Sequence, residues 1–238
     1  MATIPLTESD LQDAIHTLYE NDPDTPASTD DDYLIRRRLM NVMVNRWENN
    51  MGTLWNELWT NTSVVSTGAT LTIVTADSTY AAPTSFLFPG GFVKVLNSDG
   101  TVHKTYPVIK PEQAQSMSSA DEYCYFRGDT NSGYTLVMNP APTSDLNGKT
   151  LNYDYYKRAT AFTGTTVTPE MSDPYYIVHG VVAELHKADN NLALYDSSLA
   201  EAEDRLKQMV MRNTMFGHYQ DFGLEDQQYV NNGATFGS

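Results

Sequence analysis

Five histidines and one cysteine are the side chains here that most readily bind metal or act as nucleophiles: His16, His103, His179, His186, His218 and Cys124. His179 and His186 are seven residues apart, so on a helix they share a face. Two turns separate them by roughly 10 Å, too far to chelate one ion. No HxxxH pair exists. These histidines read as structural or solvent-facing. Cys124 lies in an alternating, strand-like stretch where a small buried hydrophobe is the default. A single cysteine can form neither an internal disulfide nor a cysteine cage around a metal. Glu112, Asp121 and Glu122 are close in sequence and could act as paired carboxylates, but on loops between strands such clusters read as solvated. Gly90-Gly91 lacks the G-x-G-x-x-G spacing and a following helix. Neither G-x-x-x-x-G-K-[ST] nor G-x-S-x-G occurs. Tyr153, Tyr155, Tyr156, Tyr175 and Tyr176 could stack on sugars; equally, they could be the aromatic face of a sheet packed on helices. No catalytic residue, cofactor site or metal site is expected.

The charge balance narrows the remaining classes. There are 15 Lys and Arg against 30 Asp and Glu in 238 residues, a formal net charge of -15. Such a field repels phosphate backbones and anionic membranes, so sequence-reading nucleic-acid binding is disfavoured. With 40% hydrophobic and 19% charged residues a core is expected, in one domain or two small ones. No apolar run approaches the roughly 18 residues of a membrane span. The opening MATIPLTESD has neither a basic nor an apolar leader region, so no signal peptide is expected, and synthesis in a reducing cytoplasm is. Residues 1–32 hold acids and no Lys or Arg, including Asp30, Asp31 and Asp32; Arg36, Arg37 and Arg38 follow. Two readings stay open. The acidic stretch and the basic triplet could form a complementary contact between subunits. Alternatively, the aspartates complement a helix dipole and the arginines are solvated.

The elements that must position these groups show in the periodicity. Thr7 and Asp10 resemble a capping box opening a helix at about 8–20, with Leu11, Ile15 and Leu18 on its apolar side. Pro23 and Pro26 break it. A second helix is predicted from near Asp30 to Asn50, with Ile35, Leu39, Val42, Met43 and Trp47 along one side. Leu54, Trp55, Leu58 and Trp59 read as a short helix or tight amphipathic turn. From 62 to 157, β-branched and aromatic runs alternate with turn signals such as Ser98-Asp99-Gly100, Asn131-Ser132-Gly133 and Asn147-Gly148, predicting five to seven antiparallel strands. From Ser172 the period returns to 3.6. Ser172 or Asp173 can cap, Pro174 suits the first turn, and Asp189-Asn190-Asn191 turns the chain. The second helix of this pair carries Tyr195, Leu199, Ala202, Leu206, Met209 and Val210 on one face. Residues 217–238 read as a polar extended arm dotted with Tyr219, Phe222, Tyr229 and Phe236. The expected class is α+β: a helical bundle of 1–61 and 158–216, an inserted antiparallel β domain at 62–157, and an extended C-terminal arm.

This succession resembles a known family. Asn41 to Glu48 and Leu54 to Leu58 precede the β segment; Leu136 to Pro142 and Leu151 to Lys157 close it; Pro169, Asp173 and Pro174 lead into the hairpin with Asn191 and Tyr195. Over about 30–214 this order of parts is similar to the head-to-tail adaptors (connectors, or tail-tube gatekeepers) of short-tailed bacteriophages. The resemblance implies a structural virion protein, made in the host cytoplasm and placed at the head–tail interface. It implies a homo-oligomeric ring of about a dozen copies, with the helical part on the portal protein and the β part on the next tail or nozzle protein. Double-stranded DNA would pass through the ring without specific binding. It implies no catalytic residue, no cofactor and no membrane partner. Arg36, Arg37, Arg38, Asp30, Asp31 and Asp32 are then candidate subunit contacts, and Tyr219, Phe222, Tyr229 and Phe236 a candidate partner-binding arm. A receptor- or glycan-binding tail component using an aromatic β surface is the alternative reading, and a cell-wall hydrolase a third.

Overall fold

The computed structural model describes residues 6–22, 25–50, 52–62 and 71–232, with side chains as far as 215. Among these residues the helices are α1 (Glu8–Glu20), α2 (Asp31–Glu48), α3 (Pro111–Ala114), α4 (Tyr175–Ala188) and α5 (Leu192–Asn232). The strands are β1 (Trp59–Asn61), β2 (Thr79–Ala81), β3 (Phe86–Leu96), β4 (Val102–Pro107), β5 (Tyr123–Asp129), β6 (Gly133–Asn139) and β7 (Thr150–Lys157). The class is α+β. The chain divides into a helical unit, 1–57 with 159–238, and a β unit, 58–158.

Local chemistry sets the helix ends. The Thr7 hydroxyl accepts the Asp10 amide at 3.3 Å and the Asp10 carboxylate accepts the Thr7 amide at 2.7 Å, a reciprocal cap that starts α1. Asn21, in a left-handed conformation, ends it. Asp173 accepts the Tyr175 amide at 3.1 Å at the start of α4. Asn190, also left-handed, turns the chain into α5.

Helix α4 is the centre of the helical unit. Tyr176, Ile177, Val178, Gly180, Val181, Val182 and Ala183 are all buried, and α1, α2 and α5 pack on it. A Cβ on Gly180 would sit 2.4 Å from the Met43 methyl, so the absence of a side chain lets α2 approach closely. On α5 the buried line is Ala202 and Met209, with Leu199 and Leu206 half-buried on its shoulders. Sequence spacing places Leu199 and Leu206 mid-stripe; small Ala202 takes that place because it allows closer contact between helices. On α2 the buried line is Tyr33, Arg36, Met40, Met43, Val44 and Trp47. Ile35 and Val42, expected inside, are 46% and 44% exposed. The apolar count misplaces the stripe because it leaves out a buried arginine.

Trp55 stacks on Trp47 with ring centres 5.0 Å apart and donates from its indole nitrogen to the Trp47 carbonyl at 2.7 Å. The expected short helix around it is only a 3₁₀ turn at Asn56–Leu58, and Trp59 already belongs to β1.

In the β unit all ladders are antiparallel, in the orders β1-β7-β3-β4 and β2-β6-β5. One core joins the two sheets: Phe86 stacks on Phe126 at 4.5 Å, and Phe126 meets Tyr153 edge-on at 5.3 Å. The aromatic face of the larger sheet therefore packs on the second sheet, where sequence spacing suggests helices. The run Leu71–Val74 bridges β7 at Thr72 and Thr150, with the Leu151 amide donating to the Leu71 carbonyl at 2.7 Å and the Ile73 amide to the Lys149 carbonyl at 2.8 Å. Gly128 has φ 125°, and a Cβ there would meet the Gly133 carbonyl oxygen at 2.2 Å, so the β5–β6 hairpin requires glycine.

Helix α5 continues to Asn232 through the segment 217–232, where an extended arm is expected from sequence. No proline interrupts it, and Gly217 and Gly223 cost a helix only about 1 kcal/mol each. Residues 233–238 lie outside the described set.

Core geometry at α5 gives a graded expectation. Met209→Ala lowers unfolding free energy by about 2–5 kcal/mol. Leu199→Ala costs less, and exposed Glu203→Ala stays within about 0.5 kcal/mol. Urea melts of the three variants check the order; equal losses at Leu199 and Met209 would place the buried line elsewhere.

Candidate assembly surfaces

The basic triplet on α2 is divided among three environments. Arg36 is 3% exposed; it donates to His16 Nδ1 at 2.8 Å and reaches Glu20 at 3.4 Å. That contact fixes the imidazole proton on Nε2, which finds no partner among the described residues. The Nε of Arg37 donates at 2.6 Å to Glu8, a fully buried carboxylate, and the Arg37 guanidinium lies over the Tyr33 ring. Gln12 donates to the Tyr33 carbonyl at 3.2 Å. Glu8, Gln12, His16 and Glu20 recur every four residues, so one polar edge of α1 meets α2. The complement between acidic stretch and basic triplet is thus made within the chain for Arg36 and Arg37. Arg38 is exposed, with no ion pair among the described residues. Asp30 precedes α2 and accepts the Ala27 amide at 3.0 Å; Asp31 and Asp32 are exposed in the first turn, where the helix dipole favours them.

The other sequence candidates separate widely. His179 and His186 do share a face of α4, on the floor of a groove walled by α1 and α5. His186 packs against Tyr19, whose hydroxyl donates to Asp189; that bond raises the phenol pKa to about 12. Burial, with Arg205 close by, holds the His179 imidazole below its ordinary pKa. His103 lies 3.9 Å from Asp145. The side chain of His218 is outside the described residues. No group of three His, Cys, Asp or Glu among the described residues is placed to hold a metal ion. Cys124 is buried, and desolvation pushes its thiol pKa up to about 12, which leaves no thiolate nucleophile at neutral pH. Glu112 is exposed, Asp121 caps a turn by accepting the Ser118 amide, and Glu122 pairs with Lys104 at 2.5 Å. These three carboxylates serve separate local roles.

The tyrosine platform is also split. Tyr153 and Tyr155 are buried inside the sandwich, and Tyr176 is buried in the helical unit. What faces outward is a row the spacing alone does not reveal. Trp59 pairs with Tyr156 and Tyr156 with Phe88 across β1, β7 and β3. Trp59 is 45% and Phe88 51% exposed, and the Trp59 and Tyr156 rings meet edge-on at 4.9 Å. A Cβ on Gly90 would meet the Asp154 carbonyl oxygen at 2.7 Å and the Trp59 ring at 3.2 Å, so glycine lets β3 pass both β7 and this row. Reading it from sequence requires the register of three strands, one of them three residues long. Tyr219, Phe222 and Tyr229 fall on the outer part of α5, their side chains beyond the described set, and Phe236 lies outside it.

Residues 6–222 match a family model described as SU10 adaptor protein. The chain belongs to the SU10 adaptor family. No curated protein is similar enough to match it. Family membership makes the chain an adaptor-type structural protein of a phage particle. No helix among the described residues is long and apolar enough to cross a membrane.

The depressed pKa of His179 carries a pH signature. The folded state holds this proton less tightly than the unfolded chain, whose histidine titrates near 6.5. Its contribution to stability is complete above about pH 6.5 and is lost as pH falls through that value toward the folded pKa. His179→Gln should therefore lose less stability between pH 7.5 and 5.5 than the natural chain. Thermal melts at the two pH values measure the difference; equal losses would mean His179 is as easily protonated when folded.

Proposed function

We propose that this chain is the head-to-tail adaptor of its particle. Copies form a ring of about a dozen between portal and tail protein, and the double-stranded genome passes through it. The match to the adaptor family over 6–222 carries this reading. The charge distribution supports it. The helical unit holds 22 acids against 8 bases, and the β unit 8 against 7. A strongly acidic ring wall repels DNA, so the genome slides without counterion-release adhesion. We assign the portal-side contacts to the helical unit. The tail side goes to the β unit, whose exposed row of Trp59, Tyr156 and Phe88 offers rigid aromatic anchors for the next protein in line. The glycan-binding alternative loses two of its platform residues, Tyr153 and Tyr155, to the core.

The C-terminal part of α5 is the candidate partner-binding arm. Asn213 is the last described residue with hydrogen bonds back to the helical unit, to the Leu54 carbonyl at 2.8 Å and the Asn56 amide at 2.9 Å. Beyond it Met215 is 61% exposed. Deleting 217–238 should leave the thermal midpoint within a few degrees of the full chain and strip the chain from purified particles. Particle composition by gel and head–tail density by electron microscopy test both parts. Normal retention of the truncated chain would overturn the arm's role; absence of the full-length chain from the head–tail junction would overturn the adaptor reading.

A further inference from the structure

We propose that the groove over α4, between α1 and α5, receives the outer face of α2 from a second copy of this chain; this rests on the ring reading above. The groove has His179, Val182 and His186 on its floor, with Leu18 on one wall and Leu194 and Glu201 on the other. It encloses about 360 Å³ and continues past His179 toward Tyr175 and Arg205. Its apolar walls are open to solvent in the single chain, with Leu18 50% and Leu194 48% exposed. A trough between two helices is the shape that takes a third helix by its apolar face.

The outer face of α2 supplies such a helix. Ile35 and Val42 are seven residues apart, two turns along one line, and both are nearly half exposed. Half-buried Leu39 and exposed Arg38 lie between them. Charges match. Glu8 and Glu20 of α1 are already taken up by Arg37 and Arg36, and the acid that lines the groove is Glu201 on the α5 wall. Arg205, at the groove's far end, is shared between Asp173 at 3.0 Å and Glu201 at 2.9 Å, so this end of the groove keeps one negative charge in excess. Arg38 enters with its charge unpaired among the described residues.

Groove and stripe face different ways. Gly180 and Glu184 of α4 meet Met43 and Arg46 of α2. At 100° per residue they lie roughly 100–160° around α4 from His179 and His186. One copy therefore cannot fill its own groove with its own stripe. The contact joins two different patches and propagates head to tail, the geometry from which a ring closes.

The experiment uses particles carrying the full chain with Val42→Cys and Leu194→Cys together. Both sites are exposed, and Cys124 is buried and silent. Mild oxidation should give a ladder of covalent multimers, and each single variant none. A dimer from either single variant would indicate a two-fold contact and overturn the proposal. So would a cross-link from Leu194→Cys to a different protein. No cross-link in particles holding many copies would overturn this contact and leave the ring reading standing, whereas one copy per particle would remove the ring reading itself. Arg38→Glu and Glu201→Lys should each reduce copies per particle several-fold, and the pair should restore them. Loss without restoration would overturn the charge match on which the proposal stands.

Discussion

From Tyr175 to Ala183 helix α4 carries no Asp, Glu, Lys or Arg, and Gly180 leaves a notch in its side. Those two facts allow three helices to gather on it. A charged residue in that stretch would have to be paired or hydrated, and either demand would hold a neighbour away. Without a side chain at Gly180, Met43 lies directly on the α4 backbone, and α2 comes close enough for Arg46 to pair with Glu184 at 2.9 Å. The α4–α5 hairpin, the seat of α2 and the groove beside α1 all follow from this one apolar axis.

Enclosure of α4 leaves α1 meeting α2 along a polar edge. Buried Glu8 and Arg36 would each be costly alone, and each is tolerated because the other helix supplies a partner. Such a seam adds little net stability over an apolar one, yet it admits only one register: sliding α1 by a turn would leave Glu8 without Arg37 and His16 without Arg36. This explains why a triplet that looks in sequence like three equivalent surface charges becomes one surface charge and two internal ones.

Features decided by neighbours in sequence were legible. The Thr7–Asp10 cap, the Asp173 cap before α4, the Asn190 turn and the alternation of β5, β6 and β7 each depend on a few adjacent residues, and each appears in the structure. Features decided across the fold were not. The buried face of α2 is shifted because Arg36 counts as polar until His16 and Glu20 are known to be beside it. β1, three residues long, has too little alternation to read, and without it the row Trp59–Tyr156–Phe88 is invisible. The outer part of α5 reads as an arm because of its polar, glycine-bearing composition, although Tyr219, Phe222 and Tyr229 are spaced i, i+3, i+10 as on one helix face and nothing there stops a helix. The two-sheet core that takes up Tyr153 and Tyr155 was not legible either.

The uneven charge links the two units to the adaptor role. Nearly all of the excess acid resides in the helical unit, to which the proposed ring assigns the contacts between copies. In the proposed ring, acid spread evenly over it would make neighbouring copies repel one another. The structure draws the basic residues to defined places instead: Arg36 and Arg37 hold α1, Arg46 and Arg205 hold α4 and α5, and Arg38 alone stands on an apolar outer stripe. In the contact proposed above, a single cation between Ile35 and Val42 would meet Glu201 and offset repulsion locally, with the remaining acid left to the solvent. The near-neutral β unit carries an outward aromatic row at Trp59, Tyr156 and Phe88 instead. Under the proposed reading, association through the helical unit would depend on salt through charge pairing, while contacts through the β unit would rest on apolar area that salt screens little.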